Sequence, residues 1–96
     1  MRSRRSQLTN YDPSMLLQDD EDILNFLQAA LDEEDPATFL VALGHAARAK
    51  GISDIAQLTG LGRESLYKSL NGSVEPRWST VKKILEALDI RLQLVA

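Results

Sequence analysis

Apolar residues in the first half of the chain recur at helical spacing in two segments, and each segment opens with a helix-start signal. In the first, the acids at residues 19–22 precede an apolar stripe over residues 23–31. Acidic side chains at a helix start cap free amides and complement the helix dipole. We favour this interpretation over a metal site, because the acids lack the ligand spacing of a calcium loop. In the second segment, an Asp-Pro pair at residues 35–36 opens a stripe that ends at Gly51.

Three shorter helices are predicted in the second half of the chain, at residues 53–59, 63–70 and 79–88. Ser53 is expected to cap the first of them, and a Gly-Leu-Gly break at residues 60–62 separates it from the second. The last helix is expected to bury an apolar stripe that consists of Val81, Ile84, Leu85 and Leu88. The chain is therefore predicted to fold as a compact all-α domain of five helices.

Residues 90–95 follow a different pattern, in which apolar and polar side chains alternate as in a half-buried β-strand. Ile90, Leu92 and Leu94 would share one face of this strand. A single strand is not stable alone, and no other strand is evident in the sequence. We therefore expect the short C-terminal strand to pair, antiparallel across a two-fold axis, with the same strand of a second copy, so that the protein is a homodimer.

Residues 53–72 place small and apolar side chains where two short crossing helices require them. Ala56 is small where the two backbones come close, and Gly60 permits the positive φ of a sharp turn. Four leucines are expected to fill the angle between the helices: Leu58, Leu61, Leu66 and Leu70. This spacing indicates a helix-turn-helix, although similar two-helix corners also occur in proteins that never touch DNA.

Length and composition narrow the class of protein. The chain has 96 residues, of which 44% are hydrophobic and 26% charged, as in one ordinary globular domain. We expect a flexible basic tail at residues 1–10 and a single domain at residues 11–96. The lack of cysteine excludes disulfides and thiolate zinc sites. The lack of a long apolar run argues against a membrane span and a signal peptide, so we expect a cytoplasmic protein.

The net charge of −3 conceals an asymmetry between the two halves of the chain. Residues 1–34 carry three Arg and eight acids, for a net charge of −5, whereas residues 35–96 carry eight Lys or Arg and six acids, for a net charge of +2. The basic groups thus lie in the part that holds the predicted helix-turn-helix. Because nucleic-acid binding depends on local charge, the acidic total does not exclude DNA.

Residues 53–72 resemble the helix-turn-helix of the Xre/Cro type. A longer pattern, over about residues 11–95, is similar to the probable addiction-module antidote proteins, which are antitoxins of bacterial toxin–antitoxin operons. The segments that carry it are Tyr11-Asp12-Pro13, residues 24–31, Asp35-Pro36, residues 39–51, residues 59–70 and residues 85–92. Two positions depart from the pattern. Gly62 stands where a capping Ser or Thr is common, and Ser69 stands where an aliphatic side chain is often found.

The resemblance implies that the second helix of the motif lies in the major groove of DNA, with its N-terminal residues over the base edges. The residues expected to read bases are Arg63, Glu64, Tyr67, Lys68 and Asn71. Arg63 can form a bidentate hydrogen bond with guanine, Glu64 can accept a hydrogen bond from cytosine, and Asn71 can read adenine. The residues expected to contact phosphate are Ser53, Gln57, Ser65, Lys68, Arg77, Ser79 and Thr80. Trp78 can stack on a nucleotide, but we favour a packing wedge at the helix start.

The resemblance implies a sequence-specific DNA-binding antitoxin of a type II module. Such a protein represses its own operon and neutralises a co-encoded toxin of an mRNA-cleaving type that resembles RelE or HigB. The expected partners are operator DNA, a second copy of the chain and this toxin, for which the acidic residues 1–34 are a complementary surface. Two alternatives stay open: a stand-alone phage-type regulator, and a toxin-binding protein whose helix-turn-helix is vestigial.

An enzyme is the least favoured class, because no nucleophile–base pair is apparent in the sequence. His45 is the only histidine, and no cysteine accompanies it, so neither a metal site nor a catalytic role is expected there. We likewise expect no cofactor and no small-molecule substrate.

Overall fold

The computed structural model describes residues 19–96, which form five α-helices joined by turns and short loops. The helices are α1 (Asp20–Leu31), α2 (Pro36–Lys50), α3 (Ile52–Thr59), α4 (Arg63–Ser69) and α5 (Trp78–Ala87). For the described residues, the prediction of an all-α fold of five helices is therefore confirmed. The predictions for the basic tail at residues 1–10 and for the Tyr-Asp-Pro segment at residues 11–13 lie outside the described residues.

Aspartates cap the first two helices, as the sequence predicts. Asp19 Oδ1 accepts a hydrogen bond of 2.8 Å from the amide of Asp22, and Asp35 Oδ1 accepts one of 2.9 Å from the amide of Ala37. Each carboxylate satisfies an amide that has no partner inside its helix and stabilises the positive end of the helix dipole. The acids at residues 19–22 are thus explained by the start of α1.

A salt bridge ties the far end of α2 back to the start of α1. Lys50 Nζ lies 2.9 Å from Asp20 Oδ1, and both side chains are accessible to water. Such exposed pairs contribute about 0–1 kcal/mol, so the bridge aligns the two helices more than it stabilises them. The packing of α1 against α2 depends instead on their buried apolar side chains.

The start of α3 differs from the prediction. Ser53 lies inside the helix and does not cap it, because α3 begins at Ile52 and its N-cap is Gly51. Gly51 also ends α2, where its amide donates to the carbonyl oxygens of Ala47 and Arg48. Its φ of 113° is accessible to glycine and rare for other residues. One glycine therefore ends α2 and starts α3, and no residue is left between them for a side-chain cap.

The buried side chains of all five helices meet in one apolar core. The largest fully buried ones are Leu43, Ile55, Leu66 and Ile84. Helix α2 contributes most of the small core residues and packs against α1, α3 and α4, while α5 packs against α3. At Gly44 of α2, a β-carbon would lie 3.0 Å from the carbonyl oxygen of Leu70. A glycine there lets the end of α4 approach the backbone of α2.

The predicted C-terminal strand is absent from the described part of the chain, in which residues 91–96 have no regular secondary structure. The amide of Ile90 donates to the carbonyl oxygen of Leu85, and the Ile90 side chain packs against the protein's own core. The amide and the side chain of Ile90 are therefore already engaged by its own chain. Leu92 and Leu94 are 51% and 100% exposed. A strand needs a partner, and the described residues offer none, so pairing with a second copy stays a prediction.

Candidate nucleic-acid interface

The connection between α3 and α4 is a three-residue turn that a buried threonine holds together. Thr59 Oγ1 donates to the carbonyl oxygen of Ile55 at 2.8 Å and accepts from the amide of Leu61 at 3.2 Å. Gly60 follows in the left-handed conformation, with φ 76°. The sequence identified Gly60 but missed Thr59. A hydroxyl residue directly before a helix-ending glycine is the signal that would have found it.

The angle between α3 and α4 is filled mainly by one side chain. Leu66 is fully buried and Leu70 is buried, while Ala56 and Leu61 are half-buried against the same core. The prediction for Leu58 is wrong, because this side chain is 69% exposed. Helix α3 buries the stripe that contains Ile52, Ile55 and Thr59, and at 3.6 residues per turn position 58 points about 90° away from the centre of that stripe.

The outward face of α4 carries the side chains that the sequence assigns to base reading. Arg63, Glu64, Tyr67 and Lys68 are all exposed, and Tyr67 is 47% accessible. Arg63 Nη2 donates a hydrogen bond of 2.8 Å to Ser53 Oγ in the first turn of α3. The structure therefore brings a predicted base-reading residue and a predicted phosphate-binding residue together. The guanidinium keeps further N–H donors for a ligand.

Asn71 lies just beyond α4 and is engaged in the following loop. Its Oδ1 accepts hydrogen bonds from the amide of Ser73 at 2.9 Å and from Ser73 Oγ at 2.7 Å. A side-chain amide reads adenine with its oxygen and its nitrogen together, so the oxygen of Asn71 would first have to leave this turn. The geometry thus supports Asn71 as a loop-forming residue more directly than as a base reader.

The predicted phosphate-binding residues are distributed over α3, α4 and the start of α5. Six of them are exposed and Thr80 is half-buried; the exposed ones are Ser53, Gln57, Ser65, Lys68, Arg77 and Ser79. Arg77 is the N-cap of α5, but no side chain caps the helix, whose first amides are thus open to an anion. Lys82 and Lys83 are exposed further along α5.

Trp78 does not act as a packing wedge within the chain. Its side chain is 60% exposed at the first position of α5, beside Leu92 and Leu94 of the C-terminal segment. The preference for a wedge is therefore wrong for the isolated chain. A wedge needs an apolar wall on both sides, and here most of the indole is accessible to water.

The surroundings of His45 are those of a structural residue. Its ring contacts Phe26 edge to face, with centroids 6.1 Å apart, and its Nδ1 is hydrogen-bonded to the guanidinium of Arg48. Within residues 19–96 no group of three or more His, Cys, Asp or Glu side chains is arranged to hold a metal ion. No helix of that part of the chain combines the length and apolarity needed to cross a membrane.

The model of one protein family, described as probable addiction module antidote protein, matches residues 7–96. The chain belongs to this family. An uncharacterized protein of Haemophilus influenzae (strain Rd) is 39% identical over 88 residues, which cover 92% of this chain and 91% of that protein. No solved structure matches the chain. The predicted resemblance to antidote proteins is thus confirmed, and membership of an antidote family implies in general terms a toxin as partner.

Proposed function

We propose that this antidote protein is a DNA-binding antitoxin, which represses its own operon through the α3–turn–α4 corner and neutralises a co-encoded toxin. The observation that carries the DNA part is the outward face of α4, where Arg63, Glu64, Tyr67 and Lys68 stand exposed in succession. The Arg63–Ser53 hydrogen bond adds to it, because it holds the longest of these side chains at the corner. This corner is our candidate for the Xre/Cro-type helix-turn-helix.

In the proposed complex α4 lies in the major groove, which is wide enough for an α-helix. Arg63 and Glu64 belong to its first turn and would meet the base edges, with Arg63 on guanine and Glu64 on cytosine. Tyr67 and Lys68 lie one turn further and would reach the next base or the backbone. This order of donors and acceptors along α4 would give the protein its sequence preference.

Phosphate contacts would fix how the corner sits on the duplex. Gln57, Ser65 and Ser79 are exposed hydroxyl or amide side chains that can donate to phosphate oxygens, and Arg77 adds a positive charge at the start of α5. These contacts are independent of base sequence, and they contribute affinity that falls as salt rises. An operator with two-fold symmetry has two half-sites, and each half-site would bind one such corner.

A homodimer would supply the second α3–turn–α4 corner. Pairing of the segment that follows Ile90, residues 91–95, between two copies would place the two α4 helices about one turn of DNA, roughly 34 Å, apart. Occupation of the promoter by this dimer would block transcription of the operon. The toxin would be an mRNA-cleaving protein that resembles RelE or HigB, and all three partners would meet in the cytoplasm.

A gel shift on the DNA upstream of the gene tests the DNA part of the proposal. We expect a discrete complex at protein concentrations at which a scrambled fragment of equal length stays free. Equal affinity for both fragments would contradict specific recognition. The adjacent gene product, added to the same reaction and to the protein alone, tests the toxin part. Toxin binding without operator binding would favour the alternative of a vestigial helix-turn-helix, and operator binding without toxin binding would favour the stand-alone regulator.

A further inference from the structure

An open groove of about 640 Å³ lies on a part of the surface that the proposed DNA contacts leave unused. It runs between the loop from α1 to α2, the start of α5 and the C-terminal segment. Four exposed apolar side chains line it: Leu31, Trp78, Leu92 and Leu94. Their exposed fractions range from 51% to 100%, so the groove is an apolar surface that the described chain leaves uncovered.

Carboxylates dominate the polar lining of this groove. The four that line it, Glu33, Glu34, Asp35 and Glu75, are all exposed. No Lys or Arg is among the described residues that line it. Asp35 already caps α2, whereas no helix-capping bond occupies Glu33, Glu34 or Glu75 among the described contacts. We call this surface the acidic groove and its four carboxylates the carboxylate rim.

We infer that the acidic groove docks a basic partner that inserts an apolar side chain between its carboxylates, and that this partner is the toxin. The inference rests on the proposed function, because it assigns a surface to the toxin named there. A protein that binds and cleaves mRNA needs a positively charged surface for the phosphates. The same surface would be attracted to the carboxylate rim, and its occupation by the antitoxin would keep RNA out.

A second copy of the chain fits the acidic groove less well. A two-fold contact brings the same patch of both copies together, so one carboxylate rim would face the other. Like charges that meet across an interface are strongly unfavourable. The dimer proposed above pairs the backbone of residues 91–95; Leu92 and Leu94 of that segment also line the groove, but the groove's carboxylates take no part in the pairing. Charge complementarity therefore favours a cationic partner of different sequence.

Trp78 would be the anchor of this interface. Tryptophan combines a large apolar area with an N–H donor and is among the residues most enriched at energetically dominant positions of protein interfaces. Its exposed indole lines the groove together with Leu92, Leu94 and Glu75. An apolar residue flanked by Lys or Arg on the partner would contact the indole and pair with the rim. Trp78 would thus mainly determine the dissociation rate of the complex, and the carboxylate rim its association rate.

The test measures binding of the full chain to the purified product of the adjacent toxin gene, with surface plasmon resonance at several salt concentrations. We expect Trp78→Ala to weaken binding at least about tenfold, mainly through faster dissociation. The double variant Glu33→Gln/Glu34→Gln is expected to slow association a few-fold and to flatten its dependence on salt. Circular dichroism and thermal melting establish that each variant is folded.

Two control variants match these changes outside the groove. Leu58→Ala removes an apolar side chain that is 69% exposed on α3, and Glu21→Gln/Glu86→Gln removes two exposed charges that do not line the groove. Both are expected to bind the toxin like the wild type. If they weaken binding as much as the groove variants do, the groove is not the docking surface.

The remaining outcomes separate the groove from the wider proposal. If the wild type binds the toxin and the groove variants bind equally well, the inference is wrong while the proposed function stands. If the wild type does not bind the adjacent product, the inference and the toxin part of the proposed function are both wrong. If Trp78→Ala leaves toxin binding intact but converts a dimer to monomer in sedimentation velocity, the groove is a contact between copies. If the same variant weakens only operator binding, Trp78 belongs to the DNA interface. Either of these last results overturns the inference.

Discussion

Arg63 Nη2 donates a hydrogen bond of 2.8 Å to Ser53 Oγ, which joins the start of α4 to the first turn of α3. An arginine side chain on a surface loses much rotational freedom when it is fixed on a ligand. The serine hydroxyl removes part of that freedom before any ligand arrives. The guanidinium of Arg63 would then enter the major groove already oriented by Ser53, and its remaining N–H groups could bind guanine. Ser53 is therefore a positioning residue for Arg63 in the proposed complex.

The first prediction separates the two members of this pair. Arg63→Ala should cost about 1–3 kcal/mol of operator binding and relax the preference at one base pair. Ser53→Ala should cost less, because the guanidinium remains but is no longer directed. Fluorescence anisotropy with the operator and its single-base variants measures both effects. In the double variant, Ser53→Ala should add little to the loss caused by Arg63→Ala. Full additivity would contradict a positioning role.

The second prediction concerns Lys68, which is exposed on the last turn of α4. If it contacts a phosphate, Lys68→Ala should weaken binding to every sequence about equally. The slope of log K against log salt should also become shallower by about 0.9, the value expected for one phosphate contact. Lys83→Ala, an exposed lysine of α5, is the matched control and should leave the slope unchanged. A loss confined to one base pair would instead make Lys68 a base reader.

Helix starts were predictable from the sequence where their signals are local. Asp19 and Asp35 cap amides two or three residues away, so neighbouring residues alone specify them. The start of α3 was not predictable in this way. Gly51 ends one helix and begins the next, and its positive φ belongs to the junction. Ser53 looks like a capping residue in sequence, but its hydroxyl is used by Arg63, ten positions later.

The same contrast holds for the candidate site. Helical spacing places the side chains of Arg63, Glu64 and Lys68 on one exposed surface of α4, so this surface was predictable from sequence alone. The exposure of Trp78 could not, because it depends on which neighbours the tertiary fold brings near, whereas Leu58 lies off the buried stripe of α3. The sequence around an apolar residue at a helix end does not show whether another part of the fold covers that residue. The acidic groove likewise joins segments that are far apart in the chain.

The third prediction tests how the corner is packed. Leu66 is fully buried, so Leu66→Ala should lower the free energy of unfolding by about 2–5 kcal/mol through lost burial and the cavity left behind. Leu58→Ala makes the same chemical change at an exposed position and should stay within about 0.5 kcal/mol of the wild type. Urea unfolding followed by circular dichroism measures both. Equal losses would mean that Leu58 is covered in solution, for example by a second copy.

The fourth prediction uses the glycine that starts α4. Gly62 has φ −73° and ψ 161°, which serine adopts freely, and a β-carbon there meets no atom within 4 Å. Gly62→Ser should therefore stabilise the fold by about 0.5–1 kcal/mol, since it adds a capping hydroxyl and restricts the unfolded chain. Gly60→Ser is the control. Gly60 has φ 76°, so the same side chain there should cost about 1–2 kcal/mol. Unfolding curves that move the same way for both variants would contradict this explanation.

The last prediction concerns the C-terminal segment and the dimer. Ile90 is held by its own chain, so pairing between copies has to begin after it. A chain that ends at Ile90 should sediment as a monomer. Leu92→Pro and Gln93→Pro keep the segment but each remove one amide donor, and adjacent amides of a strand point to opposite edges. One of the two variants should therefore weaken the dimer more than the other. A truncated chain that still sediments as a dimer would show that the copies associate through another surface.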